Sequence, residues 1–178
     1  MHKNILFLLT GSISCYKACA AISKLVQAGN EVQTIATPSA LRFVGKATLE
    51  GLTHRPVHSD MWENATGINH VALGKWADIA LLCPASANTI SRLAHGIADD
   101  VIGTTYLAWP LEKPWWIFPA MNSAMLAHPA TQSSLKILAE RGAKILGSGI
   151  GQLACGDTGA GRLLEPEQIA DAVLAALK

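Results

Sequence analysis

Short apolar runs of strand length alternate with longer amphipathic segments along nearly the whole chain, and no other feature restricts the fold as much. The first run, Ile5-Leu6-Phe7-Leu8-Leu9, belongs to a strand expected over 4–9. It has no polar face, so both of its sides must be covered. A helix over 14–28 follows and stops at Gly29, a residue suited to a left-handed cap. A second strand is expected over 31–36 and a helix over 39–51. The stretch 52–69 is weakly patterned, with an extended piece at Pro56-Val57. Further strands are expected at 79–83, 114–118 and 143–146, and helices at 88–96, 99–108, 131–141 and 166–178. Residues 147–164 are dense in glycine and read as irregular. The expectation is an α/β fold, a Rossmann-like open parallel sheet with helices on both faces, in a single domain over 1–178.

Ligands of such sheets sit beyond the carboxyl ends of the strands. Each expected strand end here runs into a small-residue polar turn: Thr10-Gly11-Ser12-Ile13-Ser14, Thr37-Pro38-Ser39, Pro84-Ala85-Ser86-Ala87-Asn88-Thr89 and Pro119-Ala120-Met121-Asn122. Gly11-Ser12 before a helix is a phosphate-type turn, but it lacks the spaced glycines of the dinucleotide fingerprint. Taken alone, this run is better explained by an ordinary turn with Ser12 as helix cap, and Thr37-Pro38-Ser39 suits either a cap or a phosphate contact. Ser86, Asn88 and Thr89 supply more hydrogen-bonding side chains than one helix cap needs, which suits a phosphate or a heteroaromatic ring. Asn122 suits either a local Asx turn or a carboxylate held by its NH₂ group. His70 precedes the strand that delivers residues 84–89 to the same rim. Cys155 stands in a polar glycine-rich loop, from which a thiol can reach a substrate.

Composition narrows the class of ligand. The net charge is +1 and no basic stripe exists, so nucleic acid is not an expected partner. Charged residues make up only 15% of the chain, which fits either a large core or apolar surface hidden in an oligomer. The five tryptophans, Trp62, Trp76, Trp109, Trp115 and Trp116, could line such a contact or fill the core. The run at 5–9 is too short to cross a membrane and meets Gly11-Ser12 at once, so a cytoplasmic protein without membrane partners is expected. Cys15 and Cys19 lie one helical turn apart, but no second ligand pair completes a metal site, and none is expected. With Cys83 they read as core thiols.

Taken together, the runs at 84–89, 119–122 and 154–162 resemble the PASANT, PAMN and ACGDxGxGR motifs of the homo-oligomeric flavin-containing cysteine decarboxylases. Met125 and His70 also fall in register, and the likeness extends from Gly11 to Glu165. Ser14 departs from the alanine common at that place, a change between small residues. The resemblance implies FMN as cofactor, bound by Gly11, Ser12, Ile13, Thr37, Ser39, Ser86, Ala87, Asn88, Thr89 and Ala120. It implies His70 as base, Asn122 as the carboxylate holder, Cys155 as proton donor, and Met121, Gln152, Leu153 and Ala154 as substrate contacts. The implied reaction is decarboxylation of 4′-phosphopantothenoylcysteine to 4′-phosphopantetheine in coenzyme A biosynthesis. It passes through oxidation to a thioaldehyde, CO₂ loss and re-reduction of an ene-thiol. A homotrimer or homododecamer is implied, with a phosphopantothenoylcysteine synthetase as partner, either on a separate chain or fused to this one in a longer protein. Two other readings belong to the same resemblance, a peptidyl-cysteine decarboxylase and a non-catalytic flavin-fold regulatory subunit. Cys155 speaks against the first, and His70, Asn122 and Cys155 together speak against the second.

Overall fold

The computed structural model describes residues 2–62, 69–152 and 158–177. Five parallel strands, β1 (Asn4–Leu9), β2 (Glu31–Ala36), β3 (Ile79–Ala85), β4 (Trp115–Pro119) and β5 (Lys144–Ile145), lie in the order β2-β1-β3-β4-β5. The chain first winds outward from β1 to β2, then crosses back to β3 and continues the other way. Winding therefore reverses between β1 and β3, and there an open α/β sheet leaves a crevice at its carboxyl edge.

Helices cover both faces. α1 (Cys15–Gln27), α2 (Lys46–Thr53) and α8 (Pro166–Ala176) pack on one side. α3 (Asn69–Trp76), α4 (Ala87–Ala94), α5 (Val101–Leu107) and α7 (Pro129–Glu140) pack on the other. The pleat of β1 divides its apolar run between these layers: Ile5, Phe7 and Leu9 enter the α1/α8 core, while Leu6 and Leu8 enter the α4/α7 core. All five are fully buried, each contributing about 1.5–3 kcal/mol of transfer free energy. That two-sided burial explains why the run shows no alternation.

Local chemistry sets the helix ends. Gly29 adopts a left-handed φ of +87° just after α1. Pro129 opens α7, whose Ala130 amide is capped by His128 Nδ1 at 3.2 Å. Gln168 reaches back to the Glu165 amide at 3.0 Å and caps α8.

Several expectations change. The helix expected over 39–51 is two pieces, a 3-10 turn at Ala40–Arg42 and then α2, because extended Gly45 restarts the chain as the N-cap of α2. The segment at 69–76, where no helix is expected from the sequence, is α3. Its Gly74 packs against the Ala108 carbonyl, so tertiary fit replaces propensity there. The stretch 147–164 contains an antiparallel hairpin, β6 (Gly149–Gln152) and β7 (Thr158–Arg162), rather than purely irregular chain. A short helix, α6 (Ser123–Ala127), also went unread. The extended piece at 56–57 does continue into a parallel bridge between His58 and Ile35. Trp109, Trp115 and Trp116 are core residues, whereas Trp62 is exposed.

Candidate active site at the carboxyl edge of the sheet

The turns after β1, β2, β3 and β4 share one rim and are tied together across it. Thr37 N–H donates to the Leu9 carbonyl at 3.0 Å, linking the ends of β2 and β1. Thr10, fully buried, bridges the β1/β3 reversal: its hydroxyl donates to the Pro84 carbonyl at 2.6 Å and accepts from the Ser86 amide at 2.8 Å. Ala120 N–H donates to the Ala85 carbonyl at 3.0 Å, joining β4 to β3. The four sequence-predicted turns are thus held in one rigid row.

This row has the character of an anion and ring cradle. A Cβ on Gly11 would lie 2.7 Å from Ser39 Cβ, so the first two turns touch only because position 11 has no side chain. Among the described residues, the Ser12 and Ile13 amides donate to no protein acceptor, and they stand at the positive end of α1. Ser12 Oγ accepts from the Ser14 amide, and Thr37 Oγ1 accepts from the Ala40 amide at 3.1 Å, so both hydroxyls also shape their turns. Ser86 caps α4 through the Thr89 amide and lies 3.3 Å from the Thr89 hydroxyl. Ala85 and Ala120 are small, buried residues at the ends of β3 and β4, and Ile13 presents an apolar side chain that is 54% exposed. Neutral donors, a helix start and an exposed apolar side chain fit a ligand with a phosphate and a heteroaromatic ring, as FMN has.

Cys15 lies directly behind the first turn and takes no reactive form. Its thiol donates to the Thr10 carbonyl at 3.3 Å, and burial above all pushes its pKa up to about 11. Burial likewise raises the Cys83 and Cys19 thiols, although Cys19 is only half-buried rather than core. None of the three is a thiolate at neutral pH. Among the described residues no cluster of three or more His, Cys, Asp or Glu side chains could hold a metal.

Half-buried His70 belongs to the first turn of α3. α3 leads directly into β3, and its C-terminal carbonyls at 74, 75 and 77 are bound by Lys113 just before β4. Asn122 ends the PAMN run. Its Oδ1 accepts from the Ala124 amide at 2.8 Å and caps α6, so the Asx-turn reading is realised. Met121 pairs with the hairpin, its amide donating to the Gly161 carbonyl at 2.9 Å. Gln152 closes β6 opposite Thr158. Leu153, Ala154 and Cys155 lie outside the described residues. Thr10 and Ser123 escaped the sequence reading. A polar residue ending an apolar strand was the available signal for Thr10, while Ser123 gave none.

An open parallel α/β sheet, with an anion-and-ring cradle at its winding reversal, defines a nucleotide-cofactor-binding protein of the doubly wound class. The chain matches the Flavoprotein family over residues 1–178, and it belongs to that family. It is 45% identical over 170 residues to the coenzyme A biosynthesis bifunctional protein CoaBC of Bacillus subtilis, covering 94% of this chain and 41% of that protein. It is 42% identical over 171 residues to the "Probable phosphopantothenoylcysteine decarboxylase" of Streptococcus mutans, covering 95% of this chain and 96% of that one. The chain thus spans about two fifths of the bifunctional relative and nearly all of the other. Among solved structures, a PPC decarboxylase mutant complexed with pantothenoylaminoethenethiol superposes with a TM-score of 0.90 at 30% identity, covering 99% of both chains. The FMN binding protein AtHal3 superposes at 0.88 and 30% identity, covering 99% of this chain and 97% of that one.

Proposed function

We propose that residues 1–178 act as one flavoprotein domain that binds FMN and decarboxylates 4′-phosphopantothenoylcysteine to 4′-phosphopantetheine. The observation that carries this reading is the cradle at the β1/β3 reversal, where open amides at 12 and 13 meet the Ser39 turn across Gly11. Similarity to the Streptococcus relative along 96% of its length supports the choice of reaction.

In this reading Gly11, Ser12, Ile13, Thr37 and Ser39 hold the phosphate end of FMN, and Ser86, Ala87, Asn88, Thr89 and Ala120 hold its ring. When bound, FMN supplies a reversible two-electron acceptor for the carbon bearing the substrate sulfur, which turns that carbon into an electron sink for CO₂ loss. His70 takes the thiol proton from the substrate sulfur. Asn122, its Oδ1 engaged in the α6 cap, offers NH₂ to the substrate carboxylate. Met121, Gln152, Leu153 and Ala154 surround the substrate, and Cys155 returns the proton that completes the product.

A homo-oligomer, a trimer or a dodecamer, belongs to the same reading. Ile13 and Tyr16, on either side of the start of α1, are 54% and 62% exposed, apolar surface that a second copy would cover. A phosphopantothenoylcysteine synthetase is the implied metabolic partner, given that the Bacillus relative is named a bifunctional protein of coenzyme A biosynthesis. No helix of the described residues is long and apolar enough to cross a membrane. A cytoplasmic location completes the reading, in keeping with relatives named for coenzyme A biosynthesis.

The cofactor is tested by purification. The protein is expected to be yellow and to release FMN on denaturation, identified by chromatography against FMN and FAD. A colourless protein that takes up no FMN on reconstitution contradicts the reading.

A further inference from the structure

We propose that Ser123 is a positioning residue that seats the β6–β7 hairpin on the turn carrying Asn122, so that turn and hairpin hold the substrate as one unit. The inference deepens the decarboxylase reading above and rests on it for its substrate.

The hairpin is a separate two-stranded sheet, unpaired with the main one. An isolated pair of strands is marginal in water, and glycines at 149, 151, 159 and 161 leave one of its faces without side chains to fix its register. Its position must come from contacts elsewhere. They converge on residues 121–123. Ser123 Oγ donates to the Ala160 carbonyl, and Met121 N–H donates to the Gly161 carbonyl at 2.9 Å. Gly161 N–H in turn donates to Ser148 Oγ at 3.0 Å, closing the base of the hairpin.

The glycines permit this approach. A Cβ at Gly159 would overlap the Ser123 side chain, and one at Gly161 would overlap the Met121 carbonyl. Gly161 also has a φ of +119°, a region that other residues avoid. β7 therefore lies with its backbone directly on the turn. Beyond it, Arg162 Nη2 and Lys17 Nζ both reach Glu165 Oε1, at 3.1 and 2.8 Å. The strand is thus held on the rim at one end and tied to α1 at the other. Asn122 sits between the two residues that bond β7, so any shift of the hairpin moves the amide assigned to the substrate carboxylate.

The test compares FMN-loaded wild type with Ser123→Ala and Ser123→Thr. Hydrogen exchange is followed at the Met121 and Gly161 amides, and kcat and KM are measured with 4′-phosphopantothenoylcysteine. Ser123→Ala is expected to exchange about 5-fold faster at Met121, the scale of one net hydrogen bond. Its kcat/KM is expected to fall about 10-fold, carried by KM, with FMN content and Tm unchanged. Ser123→Thr, which keeps the hydroxyl, is expected to restore both. Wild-type exchange or wild-type kcat/KM in Ser123→Ala overturns the proposal, as does a uniform rise in exchange with a lowered Tm. Absence of CO₂ release from the wild type contradicts the decarboxylase reading instead, and the exchange comparison still decides the seat.

Discussion

Lys17 shows how one residue can serve both core and site. It is 6% exposed in α1, and its stem covers apolar surface while its ammonium pairs with Glu165 at 2.8 Å. The hydrogen bond from Lys17 is the main influence on Glu165 and holds its carboxyl below the ordinary glutamate value. A lowered carboxyl pKa adds stability above the ordinary value, and that stability is lost as pH falls through the lowered one. Lys17→Met is therefore expected to cost about 1 kcal/mol at neutral pH, a modest figure because Glu165 is half-exposed. The difference from wild type should shrink as pH falls through the lowered Glu165 value. Urea unfolding of both proteins across a pH series checks this; an offset independent of pH contradicts it. None of this was legible beforehand, since a lysine in an amphipathic pattern reads as solvated. Gly11, Ser86 and Asn122 were legible as turn residues right after buried strands, but a capped turn accounted for each alone, and only the motifs at 84–89, 119–122 and 154–162 together pointed to a particular ligand.

At the scale of elements, α3 depends on a brace supplied from the start of β4. Lys113 Nζ donates to the carbonyls of Gly74, Lys75 and Ala77, at 2.9, 2.9 and 2.7 Å. These are orphan acceptors at the end of an eight-residue helix that would be marginal alone. Lys113→Met is expected to lower stability by about 1–2 kcal/mol and to speed hydrogen exchange across 70–77 selectively. Unchanged exchange there would show that packing alone holds the helix. Elements buried on both faces, such as β1 and β3, announced themselves through continuous apolar runs. α3 and the β6–β7 hairpin did not, because contacts made after folding define them: Lys113 and Ala108 for α3, and the 121–123 turn for the hairpin, while α6 is a single short turn set locally by its Asn122 cap. Gly45 split the expected 39–51 helix for a similar local reason.

For the whole molecule, strand order matters more than any single motif. The order β2-β1-β3-β4-β5 brings the polar turns at 10–14, 37–39, 84–89 and 119–122 to one edge, although they are dispersed over more than half the chain. The sequence could show that each strand ended in such a turn. It could not show which strands were neighbours, nor that Thr10 would lace β1 to β3 across the reversal. The central proposal is chemical: an FMN site at the reversal, served by His70 as base and acting on a cysteine-derived carboxylate. The most direct measurement incubates the FMN-loaded protein and its His70→Asn variant with 4′-phosphopantothenoylcysteine and identifies the products by mass spectrometry. The account predicts CO₂ and 4′-phosphopantetheine from the wild type, and unchanged substrate from a variant that remains yellow. Unchanged substrate from FMN-replete wild type, or undiminished turnover by His70→Asn, would contradict it.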